Sequence, residues 1–319
     1  MDAFLCMMDG MNKYKKILVI KLGALGDFIQ MTGYFTAIRH RWPKAHITLM
    51  TGRAFFKLAK QSGYFDDYIE DNRTWNPLDY VRIIRHLATQ HYDLIIDLQM
   101  QARTKKRYYA LARLWTRDPY RWAFLQNGPF SVKYTHKKWP LFWGKTEEDI
   151  LPLTPEPASL SFCHANPDVL AKLPSKYVLM IPGCSPAHPY KRWPATSYRA
   201  LALQLAGQGI YSVVLGTNAE KTEIDLICQD NSKAINFCNQ SALSDIPEIA
   251  AKALAVVGND TGPQHMAELV DTPAITLFCD ITKNSAIQRA NVTNLIKSEI
   301  SDITVKEVFD TLQSLWHKA

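Results

Sequence analysis

The stretch Ala255-Val-Val-Gly-Asn-Asp-Thr-Gly-Pro-Gln-His-Met-Ala-Glu268 reads as a buried apolar strand running through a tight polar turn into a helix that opens with proline. Pro263 suits the first helical position, where its missing N–H would have no partner anyway, and Asp260 and Thr261 are both residue types that cap a helix start. The N–H groups of Thr261, Gly262 and the residues after them then point out of the helix end, where the macrodipole favours a phosphate. His265, in the first turn, reaches the same anion. Taken alone, the pattern equally describes an ordinary strand-to-helix turn with a packed histidine.

A second turn of this kind lies in Lys15-Lys-Ile-Leu-Val-Ile-Lys-Leu-Gly-Ala-Leu-Gly-Asp-Phe-Ile-Gln30. The apolar run 17–22 predicts a central strand, Gly23 and Gly26 permit a close turn, and Asp27 falls where a helix begins. The dinucleotide fingerprint Gly-x-Gly-x-x-Gly is not matched. No glycine stands at 25 or 28, and the position that should carry a ribose-binding acid falls in Ala45-His-Ile-Thr-Leu-Met50. A nicotinamide or flavin cofactor is therefore disfavoured, and no cofactor is expected. Asp27 is either a carboxylate displayed at the carboxyl end of the first strand or a simple N-cap.

Working outward, strands near 16–22, 46–50, 67–70 and 93–98 alternate with helices near 28–41, 54–61, 77–90 and 101–115. The rhythm breaks over the Pro- and Trp-rich region 117–172. It restarts with strands at 177–182, 211–216, 234–237, 254–258 and 273–278, separated by helices at 194–207, 219–229, 244–252 and 263–270. Such alternation predicts an α/β protein with parallel sheets in two Rossmann-like halves. The closing segment places Val305, Val308, Phe309, Leu312, Leu315 and Trp316 on one face of an amphipathic helix.

The 319 residues exceed the usual need of one doubly wound sheet, and 47 % hydrophobic with 21 % charged residues describes a globular chain with a substantial core. The six cysteines show neither zinc-site spacing nor a pairing pattern, and they read as core residues in a reducing compartment. With neither a secretory signal nor an apolar run of membrane-spanning length, the expected location is cytoplasmic.

Positive charge is concentrated. From Gln101 to Lys145 there are eleven Lys and Arg against one acid, Asp118, a local balance of +10 in a chain whose total is +7. Eleven aromatic residues share the segment, among them Tyr108, Tyr109, Trp115 and Trp139. Interleaved basic and aromatic residues suit anionic lipid headgroups, phosphorylated glycans or nucleic acid. The last ranks third, because no nucleic-acid module accompanies them.

A third turn follows the strand that begins the second half. Ile181-Pro-Gly-Cys-Ser185 closes it, and Pro189-Tyr-Lys-Arg-Trp-Pro194 leads into the next helix. Ser185 and neighbouring N–H groups suit phosphate oxygens, and Lys191 or Arg192 supplies the positive charge a diphosphate requires. In Leu215-Gly-Thr-Asn-Ala-Glu220, Glu220 stands just past a strand end and suits a ribose hydroxyl.

Taken together, Lys-Leu-Gly-Ala-Leu-Gly-Asp27, Ile96-Asp-Leu-Gln99, Pro182-Gly-Cys-Ser185, Lys191-Arg-Trp-Pro194, Leu215-Gly-x-x-x-Glu220 and Asp260-Thr-Gly-x-x-His265 make the chain resemble glycosyltransferase family 9, the ADP-heptose:lipopolysaccharide heptosyltransferases. The resemblance runs from about residue 16 to 280. It implies a GT-B fold of two facing Rossmann-like domains: 1–172 for the acceptor, 173–300 for the nucleotide sugar, and a helix at 301–319 packing back on the N-terminal domain.

It further implies an inverting, metal-independent transfer of a heptose or related sugar from an ADP-sugar to an anionic lipopolysaccharide inner-core acceptor. The enzyme would be a monomer peripheral to the inner face of the cytoplasmic membrane, without a nucleic-acid partner. Asp27 would be the general base and Lys191 would stabilise the leaving group. Ser185, Lys191, Glu220, Asp260, Thr261, Gly262 and His265 would hold the donor, and Gly26, Gln99, Lys105, Lys106 and Arg107 the acceptor. No Asp-x-Asp occurs among the twenty aspartates, so no metal ligand set is expected. Two other classes remain: a different GT-B enzyme, whether a UDP- or GDP-sugar transferase or an epimerase, and a non-catalytic protein that binds sugar nucleotides or glycolipids.

Overall fold

A strand that is apolar on both faces must be covered on both faces, and Lys16–Ile20 (β1) meets that condition. It pairs in parallel with His46–Thr51 (β2) on one side and Leu94–Asp97 (β4) on the other, and Ile17 to Ile20 are fully buried. The computed structural model describes residues 14–99, 101, 103–108, 122–124 and 155–316. It divides into two compact units, Met1–Ser159 and Leu160–Ala319.

In the first unit the sheet order is β3-β2-β1-β4-β5, with Asp67–Glu70 as β3 and Trp122–Phe124 as β5, and every pairing is parallel. Helices Leu25–Gln30 (α1) and Thr32–Arg41 (α2) follow β1 as two pieces meeting at Met31, where a single helix was expected. Phe56–Ser62 (α3) and Pro77–Thr89 (α4) complete the crossovers, and Asn76 caps α4 through a bond from the Leu78 N–H. The short β5 lies inside the region where the alternation was expected to break. It extends the sheet beside β4.

The second unit has order β11-β10-β9-β6-β7-β8, again wholly parallel. Its strands are Tyr177–Ile181 (β6), Tyr211–Gly216 (β7), Ala234–Cys238 (β8), Ala255–Asn259 (β9), Ala274–Cys279 (β10) and Val292–Lys297 (β11). The last was not expected, because it is a half-exposed edge strand without a long apolar run. The helices are Pro167–Leu170 (α5), Ala195–Gly207 (α6), Lys221–Cys228 (α7), Ile246–Ala251 (α8), Gly262–Ala267 (α9) and Val305–Trp316 (α10). Among the described residues no helix is long and apolar enough to cross a membrane.

One boundary differs from expectation. The units part at Ser159 and Leu160, not at 172. Leu160, Cys163 and Val169 are buried, and the Asn166 N–H donates to Asp245 Oδ1 at 3.1 Å, so residues 160–172 are tied to the second unit. The buried face of the closing helix, Val308 and Leu312, lies in the core of the second unit with Leu201, Leu205 and Ile303, against α6. Each fully buried aliphatic side chain of this kind contributes about 1.5–3 kcal/mol.

Truncating Leu312 to alanine leaves a cavity in that core. The expected loss is about 2–5 kcal/mol of stability, read by chemical denaturation as a lower midpoint. A loss below about 0.5 kcal/mol would show that α10 does not belong to the second unit's core.

Candidate functional site

In an open parallel sheet the strand order reverses at one place, and the loops leaving the carboxyl ends of the two strands there diverge to opposite faces, which opens a crevice. In the second unit that place lies between β6 and β9. The loops at these strand ends carry Pro182 to Ser185 and Asp260 to Gly262, two of the motifs singled out above. In the first unit it lies between β1 and β4, whose ends carry Lys21 to Asp27 and Gln99.

The second-unit site is organised around Asp260. One carboxylate oxygen, Oδ2, accepts from Lys191 Nζ at 2.6 Å, and the other, Oδ1, stands 3.1 Å from His265 Nε2. His265 Nδ1 lies 2.8 Å from Glu268 Oε2, and Glu268 in turn accepts a short bond from the Thr276 hydroxyl. Asp260, His265 and Glu268 are buried, whereas the Lys191 side chain keeps 19 % of its surface exposed. Two cations therefore balance two carboxylates, and Lys191 is the member nearest solvent.

Burial opposes charge on His265, yet the hydrogen bonds and charges of Asp260 and Glu268 prevail and raise its pKa to about 9. Burial likewise opposes the Asp260 carboxylate, and the His265 and Lys191 bonds hold it below the usual carboxylate range. His265 is thus an imidazolium at neutral pH. It braces the helix start and is turned toward two carboxylates.

Asn259, which carried no role in the sequence reading, connects the loops. Its Oδ1 accepts from the Trp193 N–H and the Tyr198 hydroxyl, both at 3.1 Å, and its Nδ2 donates to Pro182 O at 2.6 Å. A polar residue closing an otherwise apolar strand was the available signal. Thr261 is the N-cap of α9 in extended conformation, but neither it nor Asp260 makes the expected side-chain capping bond, since the Asp260 carboxylate is engaged by Lys191 and His265. Gly262 is the first residue of α9.

Ser185 is exposed, and its carbonyl accepts from the His188 N–H at 2.9 Å, closing a turn. Arg192, the open alternative to Lys191, is turned away from the anion position. Its guanidinium donates to Glu223 Oε1 at 2.8 Å and to Cys184 O at 3.1 Å. Glu220 closes a capping box, accepting from the Thr217 N–H and hydroxyl at 2.9 and 2.6 Å. A Cβ on Gly183 would come within 3.1 Å of its Cγ, so the Pro182–Ser185 loop lies directly on this side chain.

In the first unit Asp27 is not an N-cap. Ala24 holds that position, and Asp27 sits in the first turn of α1 with its side chain 45 % exposed and Oδ2 3.8 Å from Lys21 Nζ. Gly23 holds a φ of +126°, and a Cβ there would meet the Phe55 ring at 2.7 Å, so the turn requires glycine. Gly26 lies within α1 beside Asp27. Gln99 is buried, and its Oε1 accepts from the Leu22 N–H at 2.9 Å, which braces the Asp27 turn against the end of β4.

The basic stretch 101–145 lies outside the described residues apart from Gln101, the helical turn Arg103–Tyr108 and β5. The side chains of Lys105, Lys106 and Arg107 lie outside them as well. Arg103 is internally satisfied. It pairs with buried Asp71 at 3.0 Å, donates to the Tyr108 hydroxyl at 2.6 Å and stacks 4.3 Å from the Tyr80 ring centroid. Among the described residues no group of three or more His, Cys, Asp or Glu side chains is placed to hold a metal.

Two parallel-sheet units, each with polar motifs at its switch point, define an α/β protein of GT-B type. Residues 152–301 match the model of glycosyltransferase family 9 (heptosyltransferase). Lipopolysaccharide heptosyltransferase 2 of Salmonella typhimurium is 28 % identical over 151 residues, spanning 40 % of this chain and 43 % of that protein. The chain therefore aligns with less than half the length of this curated relative.

Among solved structures, the E. coli ADP-heptose lps heptosyltransferase II has a TM-score of 0.67 at 19 % identity, covering 95 % of this chain and 99 % of the other. The family 9 glycosyl transferase of Veillonella parvula has a TM-score of 0.72 at 16 % identity, with 97 % and 99 % covered. These likenesses show the fold.

The His265 pKa sets a pH dependence of stability. A group whose folded pKa is raised above its unfolded value of about 6.5 contributes fully below that pH, and the contribution is lost as pH rises through the folded value. Stability should fall by a few kcal/mol between about pH 6.5 and pH 9.5. Urea midpoints of wild type and His265→Gln across this range check it. The two proteins should converge toward high pH, and parallel curves would refute a charged His265.

Proposed function

We propose that the chain is an inverting glycosyltransferase that moves a heptose, or a closely related sugar, from an ADP-sugar to an anionic lipopolysaccharide inner-core acceptor. The observation that carries this reading is the Asp260-centred network. It presents the Lys191 ammonium at the mouth of a β-strand crevice, beside the start of α9, in a stretch that matches the family model. The names of the related proteins, lipopolysaccharide heptosyltransferase 2 and ADP-heptose lps heptosyltransferase II, point the same way.

Displacement of a nucleoside diphosphate from an anomeric carbon needs positive potential at the leaving group and a base at the acceptor hydroxyl. In the second unit Lys191, with the N–H groups at Thr261 and Gly262, supplies the first. Ser185 and Glu220 line the same strand ends and are assigned to donor phosphate and ribose. Asp260 and His265 hold Lys191 and the helix start in place, so they act on the donor through their neighbours. In the first unit Asp27, half exposed at the end of β1, supplies the second requirement, and Gln99 and Gly26 shape its turn. Since the cationic side chain and helix N–H groups meet the diphosphate, the reaction so assembled requires no metal.

Asp27→Ala should lower kcat by about 10²–10⁴-fold while donor affinity, measured by calorimetry with ADP, stays within about twofold. The assay is mass spectrometry of an inner-core glycolipid incubated with ADP-, UDP- and GDP-sugars, with and without EDTA. Mass gain from the ADP-heptose donor, persisting in EDTA, is the expected outcome. Near wild-type turnover by the variant removes Asp27 as base, and product from a UDP- or GDP-sugar alone replaces the donor assignment.

The acceptor lies in a membrane, and the basic segment 101–145 is assigned to that surface, at the inner face of the cytoplasmic membrane. Each Lys or Arg near an anionic bilayer contributes about 1 kcal/mol, screened over about 8 Å at physiological salt. Reversing Lys105, Lys106 and Arg107 to glutamate should reduce sedimentation with anionic vesicles at low salt and raise the acceptor KM, leaving the donor KM unchanged. Unaltered sedimentation and acceptor KM would dissociate the segment from the membrane.

A further inference from the structure

Lys21 is the residue between Ile20, the last of β1, and Leu22. In the sequence it is a single charge in an apolar run, and in the structure it is 3 % exposed. Its backbone is pinned on both sides. The Lys21 N–H donates to Met50 O at 2.9 Å on the β2 side, and on the β4 side the Leu22 N–H donates to Gln99 Oε1 at 2.9 Å and the Leu98 N–H to Ile20 O at 3.0 Å. The side chain therefore leaves the central strand at a fixed position at the switch point.

An ammonium taken out of water costs several kcal/mol unless carboxylates answer it. The charged groups around it come from three elements: Asp27 on α1, Asp97 at the end of β4 in register with Ile20, and Arg73 on the loop after β3. Burial lowers the Lys21 pKa, and Asp27 and Asp97 pull against that shift. Asp27 Oδ2 stands 3.8 Å from Nζ, within the range of strong charge coupling but longer than a tight hydrogen bond.

We infer that Lys21 is a positioning residue for the Asp27 base: its buried ammonium fixes the carboxylate through Oδ2 and leaves Oδ1 for the acceptor hydroxyl. This inference rests on the reading of Asp27 under Proposed function. A proton passing from the acceptor hydroxyl to Asp27 as the new glycosidic bond forms makes a neutral acid, and Lys21 takes no proton itself. The buried ammonium holds the half-exposed carboxylate in one orientation, and such orientation is what a base beside a transient electrophile requires.

The test is Lys21→Met, which keeps length and removes charge, with circular dichroism and ADP affinity as controls for folding. Loss of an opposite charge at this distance raises a carboxylate pKa by about one to three pH units. The acid limb of the kcat profile should move up by that amount and kcat at neutral pH should fall at least tenfold, while the donor KM stays within twofold. Lys21→Arg should recover part of the loss. Carboxyl-carbon NMR of Asp27 in Lys21→Met, without substrate, should show the same upward titration.

Should Lys21→Met not fold, the reciprocal measurement uses Asp27→Asn, whose mutated side chain is half exposed. The Lys21 ammonium should then titrate at lower pH than in wild type. An unchanged Asp27 titration, an unchanged Lys21 titration in Asp27→Asn, or a loss confined to donor KM overturns the inference. Wild-type inactivity on every donor with the NMR coupling intact would overturn only the proposed reaction, because the titrations need no substrate.

Discussion

Both sheets are parallel and their central strands are covered on both faces, so these strands are apolar along most of their length. Polar chemistry is confined to the carboxyl ends, and it gathers where strand order reverses, between β1 and β4 in one unit and between β6 and β9 in the other. Every residue with a proposed chemical role at these points lies in the loop or the first helical turn that follows such a strand. The fold thus limits where function can be placed before any side chain is considered.

Within that limit the second-unit site is held by compensated charge. Asp260 joins Lys191 to His265, and His265 joins Asp260 to Glu268, so that no buried ion is left without a counter-ion. The arrangement separates two tasks that look alike in sequence. Lys191 keeps solvent access and can meet an anion, whereas His265 is held inward and keeps the helix start rigid. Asn259 does for the backbone loops what Asp260 does for the charges, tying Pro182, Trp193 and Tyr198 to one side chain.

The first unit repeats the logic in a smaller form. Gln99 and Lys21, both buried, hold the turn that presents Asp27, one through a backbone N–H and the other through the carboxylate itself. Arg103, although part of the basic stretch, is anchored to Asp71 and Tyr108, so it serves the loop after β3. Charge counted along a sequence therefore overstates the charge available to a ligand.

The sequence by itself determined the α/β class, the two halves, nearly every strand and the motif positions. Apolar runs of strand length and the glycine and proline punctuation are local properties that survive in one dimension. Asp27 and Asp260 were legible because each stands in the turn after an apolar run, and Lys191 because it is a basic residue in the loop that leads into the next helix. Tertiary structure alone decided the rest. Whether Asp27 caps α1, whether Arg192 or Lys191 faces the anion position, whether His265 reaches outward, which core receives Val308 and Leu312, and where the units part all depend on which partners the folded chain selects, near in sequence or far. Glu223, Glu268, Ile303 and Asp245 supply those partners. The physical reason is that a side chain's role is set by its burial and counter-charges, and both arise only when strands far apart in sequence lie side by side.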